Sequence, residues 1–433
     1  MMSPGAPRVP STRWGIGGVR WHPGRLLLLV LLLQLSCNEE VVLPVPAIDV
    51  AAELAGTRAL PPAVLTAMEG VYEVIDGQAL LGREAVVKHT GSGLSIFTDR
   101  DAGVVMLECG IADSAIIVVG TWRKLTGTET GVFRASISEL HGAARLLAGG
   151  TAEAGAVTVL GDFGNATGKG MRPLQLVYRR PLYHGPRPFL VIAHRAGGRN
   201  SDHLPASENT AELVRMAERF GANGVEIDVQ VTRDGVPVVY HDETLNLRLT
   251  QKSGLVGSIS DYTLAQIESF VRLKNGERIP TLRRMLGTIL RQTTLRFVWL
   301  DSKYTVPVAL LRDLQRAYVD SARHFNRDLT IVIGLPDAEK VDQLLRIPDY
   351  EDATVLCELD VETVRRTHAE IWAPRWTMGT QNALVAAMHA EGRLVLSWTL
   401  DNAEYIQQFL RDGDVDGILS NYPSLVAYYH FVQ

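Results

Sequence analysis

The feature that most constrains this chain is a change of rhythm at Pro181-Leu182-Tyr183-His184-Gly185-Pro186. Beyond that punctuated stretch, apolar strand-like runs alternate with helical stretches to the end of the sequence. Such alternation demands parallel pairing, because each strand can return to the same sheet only through a crossover. The runs fall at 190–194, 225–228, 296–301, 329–334, 354–358, 370–373, 394–398 and 416–420, with helical stretches such as 208–220, 281–291 and 306–325 between them. Eight strands so spaced over residues 188–433 predict an α/β domain, a (β/α)8 TIM barrel. The run 237–241 is excluded from the count. It follows 229–232 across Arg233-Asp234-Gly235, a hairpin signal, so it runs antiparallel, as a β-hairpin excursion after strand 2 above the barrel mouth.

Before the change, residues 63–181 read as short strands at 70–74, 85–89, 94–98, 104–108, 115–120, 131–137, 156–160 and 174–178. Turn signals such as Asp76-Gly77 and Gly91-Ser92-Gly93 separate them. This spacing predicts a small all-β domain, barrel or sandwich. Its opening Gly70-Val71-Tyr72 is similar to lipocalin-like barrels over that one short motif. No His, Asp or Glu cluster marks it as catalytic, so it reads as a structural or ligand-docking module. A hydrophobic fraction of 46% and a charged fraction of 21% support two globular domains in 433 residues. The net charge of −5, with no basic run interleaved with aromatics, predicts no nucleic-acid partner.

The first 37 residues read as an export signal of lipoprotein type. Arg13, Arg20 and Arg25 precede an unbroken apolar run from Leu26 to Leu33, and Gln34-Leu35-Ser36-Cys37 follows. The run is shorter than the ~20 apolar residues that span a bilayer. The expectation is an exported protein of the bacterial cell envelope or periplasm, anchored to the membrane by a lipid on Cys37; an ordinary cleaved signal is the alternative. Residues 38–62, rich in Val, Pro and Ala, would be a flexible tether. Cys109 and Cys357 lie in different domains within apolar runs and read as two buried thiols.

In a barrel of parallel strands the chemistry sits at the C-terminal strand ends. There the first strand carries His194-Arg195, the second Glu226 and Asp228, the third Asp301 and Lys303, the seventh Trp398, and the eighth Ser420-Asn421. The hairpin returns His241-Asp242 toward Asp228. Glu226 and Asp228 are two apart in a strand and share a face. Two carboxylates so aimed repel unless a cation intervenes. With Asp301 they make an all-oxygen site that suits one divalent cation, Mg²⁺ or Ca²⁺. Solvated acids on an exposed strand are the alternative, which the otherwise apolar strand disfavours. Trp398 is placed to wall a pocket against an apolar or choline-like group, or to pack in the core.

A series of segments in order resembles the glycerophosphodiester phosphodiesterase family across nearly the whole second domain. His194-Arg195 matches its His-Arg-Gly, here followed by Ala196-Gly197-Gly198, and Ser207-Glu208-Asn209-Thr210 stands for its Pro-Glu-Asn-Thr. The run from Gly221 to Val229 carries its Gly-Ala-Asp-x-x-Glu-x-Asp-Val, and that from Thr232 to Asp242 is close to its consensus. Ile279-Pro280-Thr281-Leu282, then Trp398-Thr399 and Val415-Asp416-Gly417-Ile418 with Asn421-Tyr422-Pro423, complete the set. The resemblance implies metal-dependent hydrolysis of a small-molecule glycerophosphodiester to glycerol 3-phosphate and an alcohol. In it His194 and His241 would be the acid and base, and Glu226, Asp228 and Asp301 the metal ligands. Arg195 and Lys303 would bind phosphate oxygens, with Glu208 in the substrate pocket. A salt bridge to the acids is the simpler account of Arg195 and Lys303, and helix capping that of Asn209. Where the family has Glu-x-Lys this chain has Asp301-Ser302-Lys303, one methylene shorter, which predicts altered metal affinity. Two other readings stay open: hydrolysis of a lyso- or sphingolipid, and a non-catalytic envelope binding protein.

Overall fold

The structure, a computed structural model, describes residues 41–304 and 306–433. The export signal, Cys37 and the first residues of the tether lie outside the described residues. The strands expected before the linker all form: β2 (Gly70–Asp76), β3 (Glu84–Thr90), β4 (Gly93–Phe97), β5 (Gly103–Ala112), β6 (Ala115–Lys124), β7 (Thr130–Ile137), β8 (Thr158–Asn165) and β9 (Arg172–Arg180). Each pairs antiparallel with the next, and β9 returns to β2. The alternatives of barrel and sandwich thus resolve to a closed up-and-down barrel, which leaves those strands no free edge. Alternation supplies its two faces. Tyr72, Val87, Ile96, Phe133 and Leu176 fill the interior, where Tyr72 meets Tyr178 edge-on at 5.3 Å.

The tether expectation needs correction. From Ala47 onward the segment is docked: the Ala47 N–H donates to Ala166, helix Val50–Glu53 is capped by Asp49, and Glu53 pairs with Arg134 at 2.7 Å. A two-residue strand, β1 (Arg58–Ala59), then pairs antiparallel with the end of β5. Elements this short carry no periodicity, so composition alone misread them.

The second domain is the expected barrel. β10 (Leu190–Ala193), β11 (Gly224–Val231), β15 (Phe297–Ser302), β16 (Thr330–Leu335), β17 (Val355–Cys357), β18 (Ile371–Trp372), β19 (Leu394–Ser397) and β20 (Gly417–Ser420) run parallel, and β20 closes on β10. The excluded run forms β12 (Pro237–Val239), antiparallel to the end of β11. Beyond it, β13 (Thr244–Leu245), β14 (Gly257–Ser258) and helix Leu264–Phe270 surround a small apolar core of their own, so the excursion is a packed subdomain. Ile192, Phe297, Trp299, Val332, Leu356, Leu396 and Leu419 fill the barrel axis. A second shell of apolar residues joins the outer strand faces to the helices. No helix among the described residues is long and apolar enough to cross a membrane.

The outer face of the antiparallel barrel packs on the second domain. Val71, Val86, Phe97 and Val104 belong to the same apolar core as Phe220, Ala427 and Tyr428. Gly221 sits at that seam with φ +97°, where a Cβ would lie 2.7 Å from Ala427 and 3.1 Å from Phe97. Arg219 donates to the carbonyls of Thr90 and Leu107, at 3.1 and 2.8 Å. Of the two cysteines among the described residues, Cys357 is buried and Cys109 half-buried, both as free thiols.

Candidate active site

β11 and β15 set the acids by register. Asp228 is the direct neighbour of Asp301, and Glu226 lies two residues earlier on the same face of β11. One oxygen from each of Glu226, Asp228 and Asp301 lies within 4.8 Å of the others. Aspartate at the third position therefore still reaches the cluster. Glu226 is 3% and Asp228 0% exposed, so this repulsion is not relieved by solvent. Burial, then Asp228 and Asp301, pushes the Glu226 carboxyl well up. Burial also raises Asp301. Burial acts the same way on Asp228, but Lys303, His241, Arg195 and His194 outweigh it and hold that carboxyl down.

These residues fit a divalent cation. Glu226 Oε1, Asp228 Oδ1 and Asp301 Oδ1 are buried and accept no hydrogen bond, an expensive state for carboxylate oxygens unless positive charge faces them. Lys303 supplies one such charge, 3.2 Å from Asp228 Oδ1 and paired with Asp301 Oδ2. One ammonium does not balance three carboxylates. The all-oxygen donor set suits Mg²⁺ or Ca²⁺.

His194 opens a tight turn after β10, in which Arg195 and Ala196 take φ +53° and +69°. That turn aims the Arg195 N–H at Glu226 Oε2, 2.8 Å away, and leaves His194 Nε2 3.8 Å from the same oxygen. Gly198 follows at φ +143°, where a Cβ would stand 2.7 Å from Leu204. His194 Nδ1 meets Asn421 Oδ1 at 2.8 Å, while Asn421 Nδ2 donates to Asp401 Oδ2 at 2.6 Å. The carboxylate fixes the amide so that its oxygen faces the ring. His194 therefore carries its proton on Nδ1 and presents a bare Nε2 to the site. Burial, then Arg195, pushes its pKa down to about 4, so the ring is neutral at pH 7.

His241 follows β12 and faces the acids from the hairpin. Its Nδ1 meets Asp242 Oδ1 at 2.7 Å and its Nε2 meets Arg195 Nη2 at 2.9 Å. Arg195 also donates to Glu208 Oε1 at 2.9 Å. Glu208, 3% exposed, accepts from the Asn200 N–H and from Arg248 with its other oxygen, so it positions Arg195 with both oxygens engaged. Trp398 lies at the end of β19, edge-on to Trp299 at 6.4 Å. Its indole N–H donates to Ala373, and the Arg375 guanidinium stands 4.6 Å over its ring.

All the residues singled out from the sequence thus gather at one end of the barrel, but several partners were missed. Asn209 does not cap the helix; Thr210 does, accepting from the Leu213 N–H. Asn209 instead donates to Asp228 Oδ2 at 2.6 Å and accepts from the Asp228 N–H at 3.2 Å. Asp401 and Arg248, which the sequence did not single out, join Asp242 in supporting the two histidines. Arg248 pairs with Asp242 and spans to Glu208 at 3.4 Å. Glu358 follows β17, its carboxyl pushed up to about 8 by burial and then by Asp301. Its position at a strand end was the available signal.

Residues 194–326 match the model of the glycerophosphoryl diester phosphodiesterase family. The chain is similar to a glycerophosphodiester phosphodiesterase of Caldanaerobacter subterraneus subsp. tengcongensis, 28% identical over 245 residues, covering 54% of this chain and 94% of the relative. It is also similar to glycerophosphodiester phosphodiesterase 1 of Bos taurus, 33% identical over 221 residues, 49% of this chain and 60% of the relative. The chain thus spans less than two thirds of the mammalian relatives it matches. Among solved structures, an Oleispira antarctica phosphodiesterase in complex with the product sn-glycerol-3-phosphate matches at 22% identity and a TM-score of 0.44, covering 56% of this chain and 96% of that one.

Proposed function

The barrel domain belongs to the glycerophosphodiester phosphodiesterase family, and from that premise we propose that this protein hydrolyses glycerophosphodiesters to glycerol 3-phosphate and an alcohol, with a divalent cation and two histidines. The observation that carries the reading is the set of three buried carboxylate oxygens that accept no hydrogen bond, in a site that also holds two histidines whose Nδ1 atoms are each tied back.

Glu226, Asp228 and Asp301 would hold Mg²⁺ or Ca²⁺, which when bound polarises a phosphoryl oxygen and lowers the pKa of the attacking hydroxyl. The protein's own residues do the rest. Neutral His194 takes the proton of the attacking O–H on its bare Nε2, while Asn421 and Asp401 keep the opposite nitrogen protonated. That nucleophile is water or the neighbouring glycerol hydroxyl. As its oxygen bonds to phosphorus, the bond to the leaving alkoxide breaks, and His241 protonates the alkoxide from Nε2. Asp242, at 2.7 Å from Nδ1, stabilises the imidazolium this role requires. Arg195 leaves Glu208 and His241 Nε2, and Lys303 leaves Asp228 and Asp301, to bind the equatorial oxygens, whose charge grows in the transition state. The departure of Arg195, which can only donate, frees His241 Nε2 to hold the proton it gives.

The direct test is alcohol release by purified residues 38–433 from a panel of glycerophosphodiesters, with Mg²⁺, Ca²⁺ or chelator, beside His241→Ala. The reading expects metal-dependent turnover that the substitution abolishes. Turnover untouched by chelator would overturn the metal role, and untouched by His241→Ala the histidine role. A second reading, an acyl-bearing lyso- or sphingolipid, draws on exposed apolar side chains following the strand ends: Leu247, Tyr304 and Met378 are 64%, 45% and 52% exposed. Turnover of such lipids with none of the water-soluble diesters would select it. We further propose an exported, envelope-anchored protein lipidated at Cys37, which Cys37→Ala would release into the soluble fraction.

A further inference from the structure

At the end of the barrel opposite the acids, the two domains enclose a cleft of about 690 Å³. The turn between β3 and β4 forms one wall. The interdomain linker, the loops entering β11 and β15, and the last helix form the others. None of the residues assigned to the chemistry reaches it.

Its charge is one-sided. Lys88, Arg187 and Arg296 line the cleft against a single acid, Glu218. The Glu218 carboxylate is already engaged by the backbone N–H of Thr294. Arg187 is committed to Asp414 and Asp416, and Lys88 shares Glu69 at 3.3 Å. Among the described residues the side chains of Arg296, His184 and His430, all from the linker or the second domain, have no hydrogen-bond or ion-pair partner, and they share this space with Lys88 of the first domain. The floor is aromatic. His430, 9% exposed, stacks on Phe189 with ring centres 4.5 Å apart and planes 13° apart, and Lys88 stands 4.8 Å over Phe431. Burial, then His184 and Lys88, disfavours charge on the His430 ring. The histidines do not form a metal site: the acids at the opposite end are the metal-ligand group that converges among the described residues.

We propose that this cleft binds a phosphate monoester, its phosphate among Lys88, Arg296, His184 and His430 and its organic group against Phe189 and Phe431. A dianion with several peripheral oxygens answers donors from both domains at once, and the aromatic floor gives the ester group apolar contact that a bare inorganic anion lacks. Because the donors come from both sides of the seam, the ligand ties the antiparallel barrel to the catalytic one.

The test is calorimetric titration of the full chain with inorganic phosphate and with sn-glycerol 3-phosphate, in chelator. The protein is compared with Arg296→Gln and His430→Phe. Each substitution is expected to weaken one saturable site on the order of tenfold, and to leave diester turnover unchanged. Equal weakening for the two probes means that the cleft reads phosphate alone; greater weakening for sn-glycerol 3-phosphate means that it also reads the organic group. Affinities unchanged by both substitutions, or no saturable binding by either probe, would overturn the proposal. Arg296 is exposed and its side chain is unpartnered, so Arg296→Gln keeps the test decisive should His430→Phe fail to fold. The titration does not depend on turnover, so its failure is distinguishable from failure of the hydrolase reading.

Discussion

The chain builds two closed barrels, and they use polar residues in opposite ways. The antiparallel barrel spends its interior on packing: Tyr72, Phe133, Ile96 and Leu176 fill it, and its charged groups face outward. The parallel barrel is equally apolar along its axis, from Phe297 to Leu419. It differs in one layer at the C-terminal strand ends, where Glu226 and Asp228 are buried, Asp301 is partly so, and each aims inward an oxygen that accepts no hydrogen bond. A closed sheet can thus hold chemistry in a single layer, provided that the layers beneath it supply the stability.

The largest expected effect breaks that contrast at its sharpest point. Glu226→Gln keeps shape and removes one of three mutually repelling charges. Turnover should fall by about 10³-fold as a metal ligand is weakened. Without metal, the melting temperature should rise, by the equivalent of about 1–2 kcal/mol of relieved repulsion. Phe133→Ala in the other barrel should do the reverse, costing about 3–5 kcal/mol through a cavity while turnover per folded molecule is unchanged. Thermal melts in chelator alongside kcat measure both. If Glu226→Gln destabilises the metal-free protein, the acids are not a frustrated layer.

Lys340 tests how that layer is held. It is 1% exposed, and its ammonium donates to the carbonyls of Tyr304 and Val306, at 2.6 and 2.7 Å, pinning the segment after Lys303. Lys340→Met should leave two carbonyls unsatisfied and cost about 2–3 kcal/mol. It should also weaken metal binding, measured by titration, because Asp301 and Lys303 lose their support, whereas Lys340→Arg should restore part of both.

Legibility followed the range of the interactions. Glu226 and Asp228 were readable because strand period fixes their common face, and their alignment with Asp301 follows once eight parallel strands are counted. The strands of the first domain were equally plain, yet barrel and sandwich were not separable. Closure rests on the pairing of β2 with β9, residues a hundred apart in sequence that carry no local mark. Asp401 and Arg248 were missed for a related reason: each lies in a loop, and only the fold brings it to His194 or to Asp242. Asn209 and Thr210 show the limit of local rules, since both suit a cap and only tertiary structure assigns Thr210 to the helix and Asn209 to Asp228.

The seam between the barrels gives a pH-dependent prediction. His430 is pushed down to about 4 when folded, by burial first and then by His184 and Lys88, against about 6.5 in an unfolded chain. Below 6.5 the unfolded state binds the proton more readily. The stability contribution is therefore full above that pH, declines as pH falls toward 4, and changes no further below it. The loss should reach up to about 3 kcal/mol. In phosphate-free buffer, His430→Phe should flatten the fall in melting temperature between pH 7 and 4.5. A wild-type slope unchanged by the substitution would place the sensitivity elsewhere.

The smallest effect lies in the turn that aims His194. Ala196 occupies φ +69°, where a Cβ crowds the backbone and glycine does not. The turn is kept because it directs the Arg195 N–H onto Glu226 and completes the supports of the acid layer. Ala196→Gly should relieve this strain and stabilise the protein by about 0.5–1 kcal/mol, less than the full strain because glycine gives the unfolded chain more freedom. Turnover should be nearly unchanged, since the Arg195 conformation is also fixed by Glu208 and His241. A drop in turnover larger than threefold would show that the alanine methyl, and not those two partners, holds the turn in its working shape.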